Sequence, residues 1–197
     1  NMTWNAFARN NENSLLLPSP TLAQGYAREF EALFGGQKEG LGQPVAFALE
    51  GVEGVAYFSP RGGRLAREAL LKRLSEAQRE VLVAAFVLTD REVLEALLQA
   101  RRRGAEVKVL LETRNLGTSR EEALLEEGLE VRQDANPYTM HHKVMLLDGT
   151  YVVTGSYNFS VRAHEVNNEN LLVLKSPSLA ERYRKEVLRL WEAGSPL

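Results

Sequence analysis

Apolar and polar positions along the chain alternate between two periods, and the switches between them predict an order of elements. Ser14 to Leu17 reads as a short strand. Ser19 then caps a helix with Pro20 at its first position, running to about Phe34 and closed by Gly35-Gly36. Residues 35–44, GGQKEGLGQP, have linker composition. Val52 to Phe58 is the next predicted strand, and Arg64 to Gln78 an amphipathic helix. Val81 to Phe86 and Val107 to Leu111 are continuous apolar runs, as suits strands covered on both faces. Between them Asp90 caps a helix to Arg103, ended by Gly104. Ser119 with Glu122 fits a capping box for a helix to Glu127, with Gly128 beyond it, before a short strand at Leu129 to Arg132. After Leu174, Ser176-Pro177 opens a last helix to about Trp191. Strands and helices alternating at these lengths predict an α/β fold, with a mixed, largely parallel sheet flanked by helices on both faces.

One stretch carries the candidate chemistry: Met140 to Asn158, MHHKVMLLDGTYVVTGSYN. Val144 to Leu147 and Tyr151 to Thr154 read as strands joined by Asp148-Gly149, a dipeptide that tolerates positive φ at both positions. Side-chain alternation puts His141 and Lys143 on one face of the first strand. His142 falls on the other, as a supporting or packed residue. An imidazole beside a fixed ammonium, with Ser156 and Asn158 where the second strand runs out, suits a phosphate: charge holds it, hydrogen bonds orient it, and a nucleophile reaches phosphorus. A lysine in an otherwise apolar strand also needs a partner, which a bound phosphate supplies.

This spacing resembles the HKD signature of the phospholipase D superfamily, from His141 and Lys143 through Asp148 and Gly155-Ser156 to Asn158. Asn168-Glu169-Asn170 ahead of Leu171–Leu174 is similar to the family's trailing Glu element. The resemblance covers about Val55 to Trp191. It implies catalytic roles for His141, Lys143, Asp148 and Glu169, and phosphate binding by His141, Lys143, Ser156 and Asn158. Asp148 has a competing account, because its place in an Asp-Gly turn already explains it. The implied chemistry is attack by one imidazole on phosphorus to form a phosphohistidine, while a second protonates the leaving oxygen. A carboxylate such as Glu169 would fix the histidine tautomer. No metal and no cofactor is called for.

The chain also repeats itself. Residues 1–34 align without gaps on residues 158–191, an offset of 157. Asn1/Asn158, Asn10/Asn167, Asn11/Asn168, Glu12/Glu169, Asn13/Asn170, Ser19/Ser176, Pro20/Pro177, Tyr26/Tyr183 and Glu29/Glu186 are identical pairs. Residues 1–34 are therefore expected to be the tail of a preceding HKD repeat, with Asn1 and Glu12 as remnants of its half-site. Residues 35–44 would be a linker and 45–197 an HKD domain. One signature supplies one histidine, so an upstream HKD half or a second copy of the chain is the expected partner. In tandem members of the family the upstream histidine is usually the nucleophile, which would make His141 the general acid.

Composition narrows the rest. A hydrophobic content of 44% in 197 residues supports one sizeable core, and the absence of cysteine excludes disulfides and cysteine-ligated metals. A net charge of −2 provides no global attraction to nucleic acid or anionic membranes. Arg101-Arg102-Arg103 is better explained by the helix dipole than as a nucleic-acid patch. Tyr138 could line a cleft or simply pack. No apolar run nears the ~18 residues of a membrane span, and no signal peptide is visible. A soluble protein is the expectation, with the compartment, bacterial cytoplasm or outside the cell, left open because residues 1–34 read as the middle of a protein. The segment from Asn158 to Asn170 looks most like the small bacterial endonucleases of the family. The resemblance therefore implies a nuclease on DNA or RNA first, a phospholipid hydrolase or phosphatidyl transferase second, and a non-catalytic nucleic-acid-binding module third.

Overall fold

The computed structural model describes residues 2–197; Asn1, and with it its expected part in a half-site remnant, lies outside them. The elements in chain order begin with α1 (Trp4–Ala8), α2 (Pro20–Phe34), β1 (Val45–Leu49), β2 (Val52–Ser59) and α3 (Gly63–Glu76). They continue with β3 (Glu80–Ala85), α4 (Arg91–Arg102), β4 (Glu106–Leu111), α5 (Glu121–Glu126) and β5 (Glu130–Gln133). The remainder is β6 (Lys143–Leu147), β7 (Tyr151–Gly155), α6 (Val161–Glu165), β8 (Glu169–Lys175), α7 (Pro177–Ala193) and β9 (Ser195–Pro196).

All the strands join one mixed sheet, ordered β1-β2-β8-β7-β6-β3-β4-β5-β9. Helices cover both faces. Leu70, Leu74, Leu97 and Leu124 of α3, α4 and α5 pack against Val81 and Val83 on one side. Leu22 of α2 and Val187, Leu190 and Trp191 of α7 meet Leu82, Ala84 and Leu146 on the other. Period-2 alternation thus sends neighbouring residues of β3 into different cores, which is why that strand reads as an unbroken apolar run.

The sheet is mixed but not largely parallel. Only β3–β4 and β4–β5 run parallel. The other pairings are antiparallel: β6, β7 and β8 run as a meander, and β1 and β2 are joined by a tight turn. The distant pairs β2–β8, β3–β6 and β5–β9 also run in opposite directions. Strand β1 lies just past the linker, where too few residues separate Pro44 from the Gly51 turn for a periodic signal.

Two local expectations fail for physical reasons. Residues 14–17 form no strand, since no ladder partner reaches them among the described residues. The capping box at Ser119 does not form either. Arg120, with φ 53°, occupies the cap of α5 without a side-chain bond, and Ser119 Oγ accepts from Leu88 N instead. The other caps hold, with Ser19, Asp90 and Ser176 each accepting a first-turn N–H.

Asp148-Gly149 makes the predicted hairpin, with φ of 54° and 61°. Asp148 also ties this hairpin to the start of β3, its carboxylate accepting from the backbone N–H groups of Gln78, Arg79 and Glu80 at 3.0, 2.8 and 3.0 Å. Partial burial opposes ionisation, but the three N–H bonds together hold the carboxyl below the usual range. The stability this provides is present above the unfolded-state pKa and is lost as pH falls through the folded value. Asp148→Ala should cost about 1–2 kcal/mol, because the turn is partly open to solvent. Thermal unfolding at neutral and acid pH checks this: the deficit should shrink toward acid, and an unchanged melting temperature would contradict it.

Candidate active site

The hairpin of β6 and β7 positions the signature. His141 precedes β6, and Lys143, Thr154, Gly155, Ser156 and Asn158 join it along a cleft of about 750 Å³, closed on its other sides by Glu12, Asn13, Glu169 and Asn170. Gly155, at φ 141°, lets the chain leave β7 directly beside the Asn170 carbonyl; a Cβ there would run into that oxygen. His142 points to the opposite face, as alternation predicts. Its Nδ1 accepts from the Asn13 side chain at 3.1 Å, and burial pushes its pKa down to about 4.

His141 is oriented by the N-terminal segment. Residue 11 makes an isolated parallel bridge with Met140, just ahead of β6: Asn11 N donates to Thr139 O at 2.9 Å, and His141 N to Asn11 O at 3.0 Å. That register places Glu12 Oε1 3.0 Å from His141 Nδ1. A carboxylate only accepts, so Nδ1 carries the proton and Nε2 keeps the free lone pair. Burial and the Lys143 charge lower the imidazole pKa, while the Glu12 bond and charge act to raise it.

Lys143 is almost wholly buried. Its Nζ donates to His141 O at 2.8 Å and sits 4.6 Å from the centre of the Phe86 ring. Burial brings its pKa down to about 8. Phe86 also meets the His141 ring in a T-shaped contact, 4.7 Å between centroids. Glu112, buried at the end of β4, accepts from Met140 N at 2.6 Å and from Arg114 N at 3.3 Å, which fixes the approach to His141; burial raises its pKa.

The predicted set is thus gathered in part. His141, Lys143, Ser156, Asn158 and Glu169 share the cleft. Ser156 Oγ is engaged with Asn170, accepting from its backbone N at 3.0 Å. Asn158 Oδ1 is buried without a partner among the described residues. Asp148 does not line the cleft; it stands at the far end of the hairpin as a turn and anchor residue. Glu169 does not hold His141. Its carboxylate accepts from Asn167 Nδ2 at 3.2 Å, and Glu12 takes the role expected of it. Tyr138 lies outside the cleft beneath the Arg9 guanidinium, 4.8 Å from its ring centre. Two arginines of the Arg101–Arg103 run have structural partners: Arg102 pairs with Glu95 and Glu127, and Arg103 donates to the Leu74 and Ala77 carbonyls.

Sequence reasoning missed Phe86 and Glu112. Phe86 ended an apolar run and looked like core. For Glu112, the one signal was a carboxylate closing an otherwise buried strand.

Residues 70–191 match the family model described as cardiolipin synthase, PLD-like domain. The chain belongs to the phospholipase D superfamily. It is 36% identical over 129 residues to a mitochondrial cardiolipin hydrolase of Xenopus laevis, covering 64% of this chain and 61% of that protein. Against a phospholipase D of Rickettsia typhi it is 33% identical over 128 residues, covering 64% and 62%. The chain therefore spans about three-fifths of the length of the curated relatives it matches. Among solved structures it resembles the phospholipase D family member Nuc of Salmonella typhimurium, with TM-score 0.67, 29% identity, and coverage of 79% of this chain and 99% of that one. NucT of Helicobacter pylori shares the fold at TM-score 0.68 and 21% identity, covering 74% of this chain and 99% of NucT. Among the described residues no helix is long and apolar enough to cross a membrane.

The Glu12 contact generates a direct prediction. Because its charge raises the His141 pKa, Glu12→Gln should lower that pKa further, which an NMR titration of the imidazole protons reads. A pKa that stays put or rises would show that the two side chains are uncoupled in solution.

Proposed function

We propose that this chain supplies one half of a metal-independent phosphodiesterase centre working through a phosphohistidine. The observation that carries this is the orientation of His141. With Nδ1–H held by Glu12, Nε2 is free either to attack phosphorus or, once protonated, to give its proton to the leaving oxygen. Lys143 supplies the charge that compensates the non-bridging oxygens as the transition state forms, and Asn158 supplies a hydrogen bond.

A second imidazole is needed, from an upstream HKD half or a second copy of the chain. Glu169 supports this. It is the repeat mate of Glu12, it lines the same cleft, and it makes no bond to His141. Its place suits a carboxylate that orients the other histidine, as Glu12 orients this one.

For substrate, the compact segment from Asn158 to Asn170 favours a nucleic-acid phosphodiester, cleaved within an open cleft. A phospholipid headgroup is the second reading, favoured by two observations. The relatives are named cardiolipin hydrolase and phospholipase D. Lys143 is also the sole Lys or Arg among the residues lining the cleft, whereas a polymer backbone is ordinarily met by several. Plasmid DNA, single-stranded oligonucleotides and cardiolipin or phosphatidylcholine vesicles, each assayed in EDTA, separate these readings; binding without turnover would indicate a non-catalytic module.

A monomer with one signature histidine should be almost inert, and the completed centre should work in EDTA. His141→Asn should reduce its rate by at least about 10²-fold. The alkaline limb of kcat/KM should fall near pH 8 as Lys143 loses its proton. A denaturing quench in alkali should trap a phosphoryl adduct that is stable in base and lost on acidification. Activity lost in EDTA and restored by magnesium, with no adduct at any time, would overturn the proposal.

A further inference from the structure

Helix α2 has two apolar faces, and this chain buries only one of them. Leu22, Gly25, Glu29 and Ala32 are buried, with Gly25 so close to Val45 of β1 that a Cβ would collide with its side chain. The other face carries Phe30 and Phe34, which are 64% and 84% exposed. Their mates at the repeat offset are Val187 and Trp191 of α7, 3% and 5% exposed, which press on this unit's own sheet. The same contrast holds in the preceding segment. Leu16 is 93% exposed in a stretch without strand partners, while its mate Val173 lies in β8 between β2 and β7.

Side-chain contacts at the junction are reciprocal. Tyr26 OH donates to Asn170 Oδ1 at 3.1 Å, and Tyr183 OH donates to Asn13 Oδ1 at 2.8 Å. Adding 157 to Tyr26 gives Tyr183, and adding it to Asn13 gives Asn170. Each contact is therefore the other's repeat image. Residues 12–34 stand toward this unit as 169–191 would stand toward a partner unit, the relation a two-fold axis generates.

Resting on the two-histidine reading, we propose that residues 12–34 are the last strand and last helix of an upstream unit of this same fold. Its sheet covers Phe30 and Phe34, and pairs residues 14–17 as a strand. A second copy of the chain does not fit that role, because the corresponding seats on its sheet are already filled by its own β8 and α7. The partner that completes the site is thus a unit lacking both elements of its own, encoded ahead of residue 1.

The repeat register defines a test: residues 45–157 spliced directly before Asn1, so that residues 1–34 continue the added unit. Phe30→Glu with Phe34→Glu should leave the melting temperature of the chain alone within about 2 °C and lower that of the fusion by more than about 5 °C. The chain alone should bind a hydrophobic dye strongly, the fusion and the doubly substituted chain weakly. Equal effects of the substitutions in both proteins, or a fusion that does not fold cooperatively, would overturn the proposal. So would a discrete dimer of the chain alone that these substitutions dissociate, whatever the fusion does. A folded, substitution-sensitive fusion without phosphodiesterase activity would instead count against the catalytic reading and leave this one standing.

Discussion

The hydrogen bond between Glu12 and His141 is the constraint around which the site is organised. An imidazole serves phosphoryl transfer only if a known nitrogen holds the proton and the other faces the substrate. Here the residue that sets this lies 129 positions away in the sequence. Residues 11–13 must run beside 139–142 in one register to deliver it. Asn11 fixes that register through the backbone, and Asn13 secures it through the His142 and Tyr183 side chains.

The rest of the fold makes that register rigid. β6 is buried along its whole length between β3 and β7, so the signature begins on a strand with little freedom to shift. Lys143 is carried into this apolar setting at the cost of solvation. The His141 carbonyl it bonds, the Phe86 face beneath it and the charges of Glu12, Glu169 and Glu112 offset the cost. The carbonyl and ring contacts also pin the ammonium within the cleft. Glu112 is buried with two backbone N–H partners, Met140 N just ahead of His141 and Arg114 N in the turn that Glu112 caps.

Much of this was legible beforehand because it depends on local rules. The alternation separating His141 from His142, the positive-φ turn at Asp148-Gly149 and the caps at Ser19, Asp90 and Ser176 are set by neighbours in sequence. The direction of β1, β2 and β8 is not local, and the sheet proved mainly antiparallel. Glu169 was given the carboxylate role because it follows the signature in the chain. The structure brings its repeat mate, Glu12, to His141 Nδ1 instead, since the folded register, not sequence distance, decides which carboxylate reaches that nitrogen. Likewise residues 14–17 have strand composition, yet a strand exists only where a ladder partner meets it.

The most direct test is the tautomer of His141 itself. Nitrogen NMR of the protein labelled in its imidazole rings distinguishes a protonated ring nitrogen from a bare one. At a pH where the ring is neutral, His141 should show a protonated Nδ1 and a bare Nε2, and Glu12→Ala should erase that preference. A proton resident on Nε2 in the unaltered protein would contradict the account at its centre.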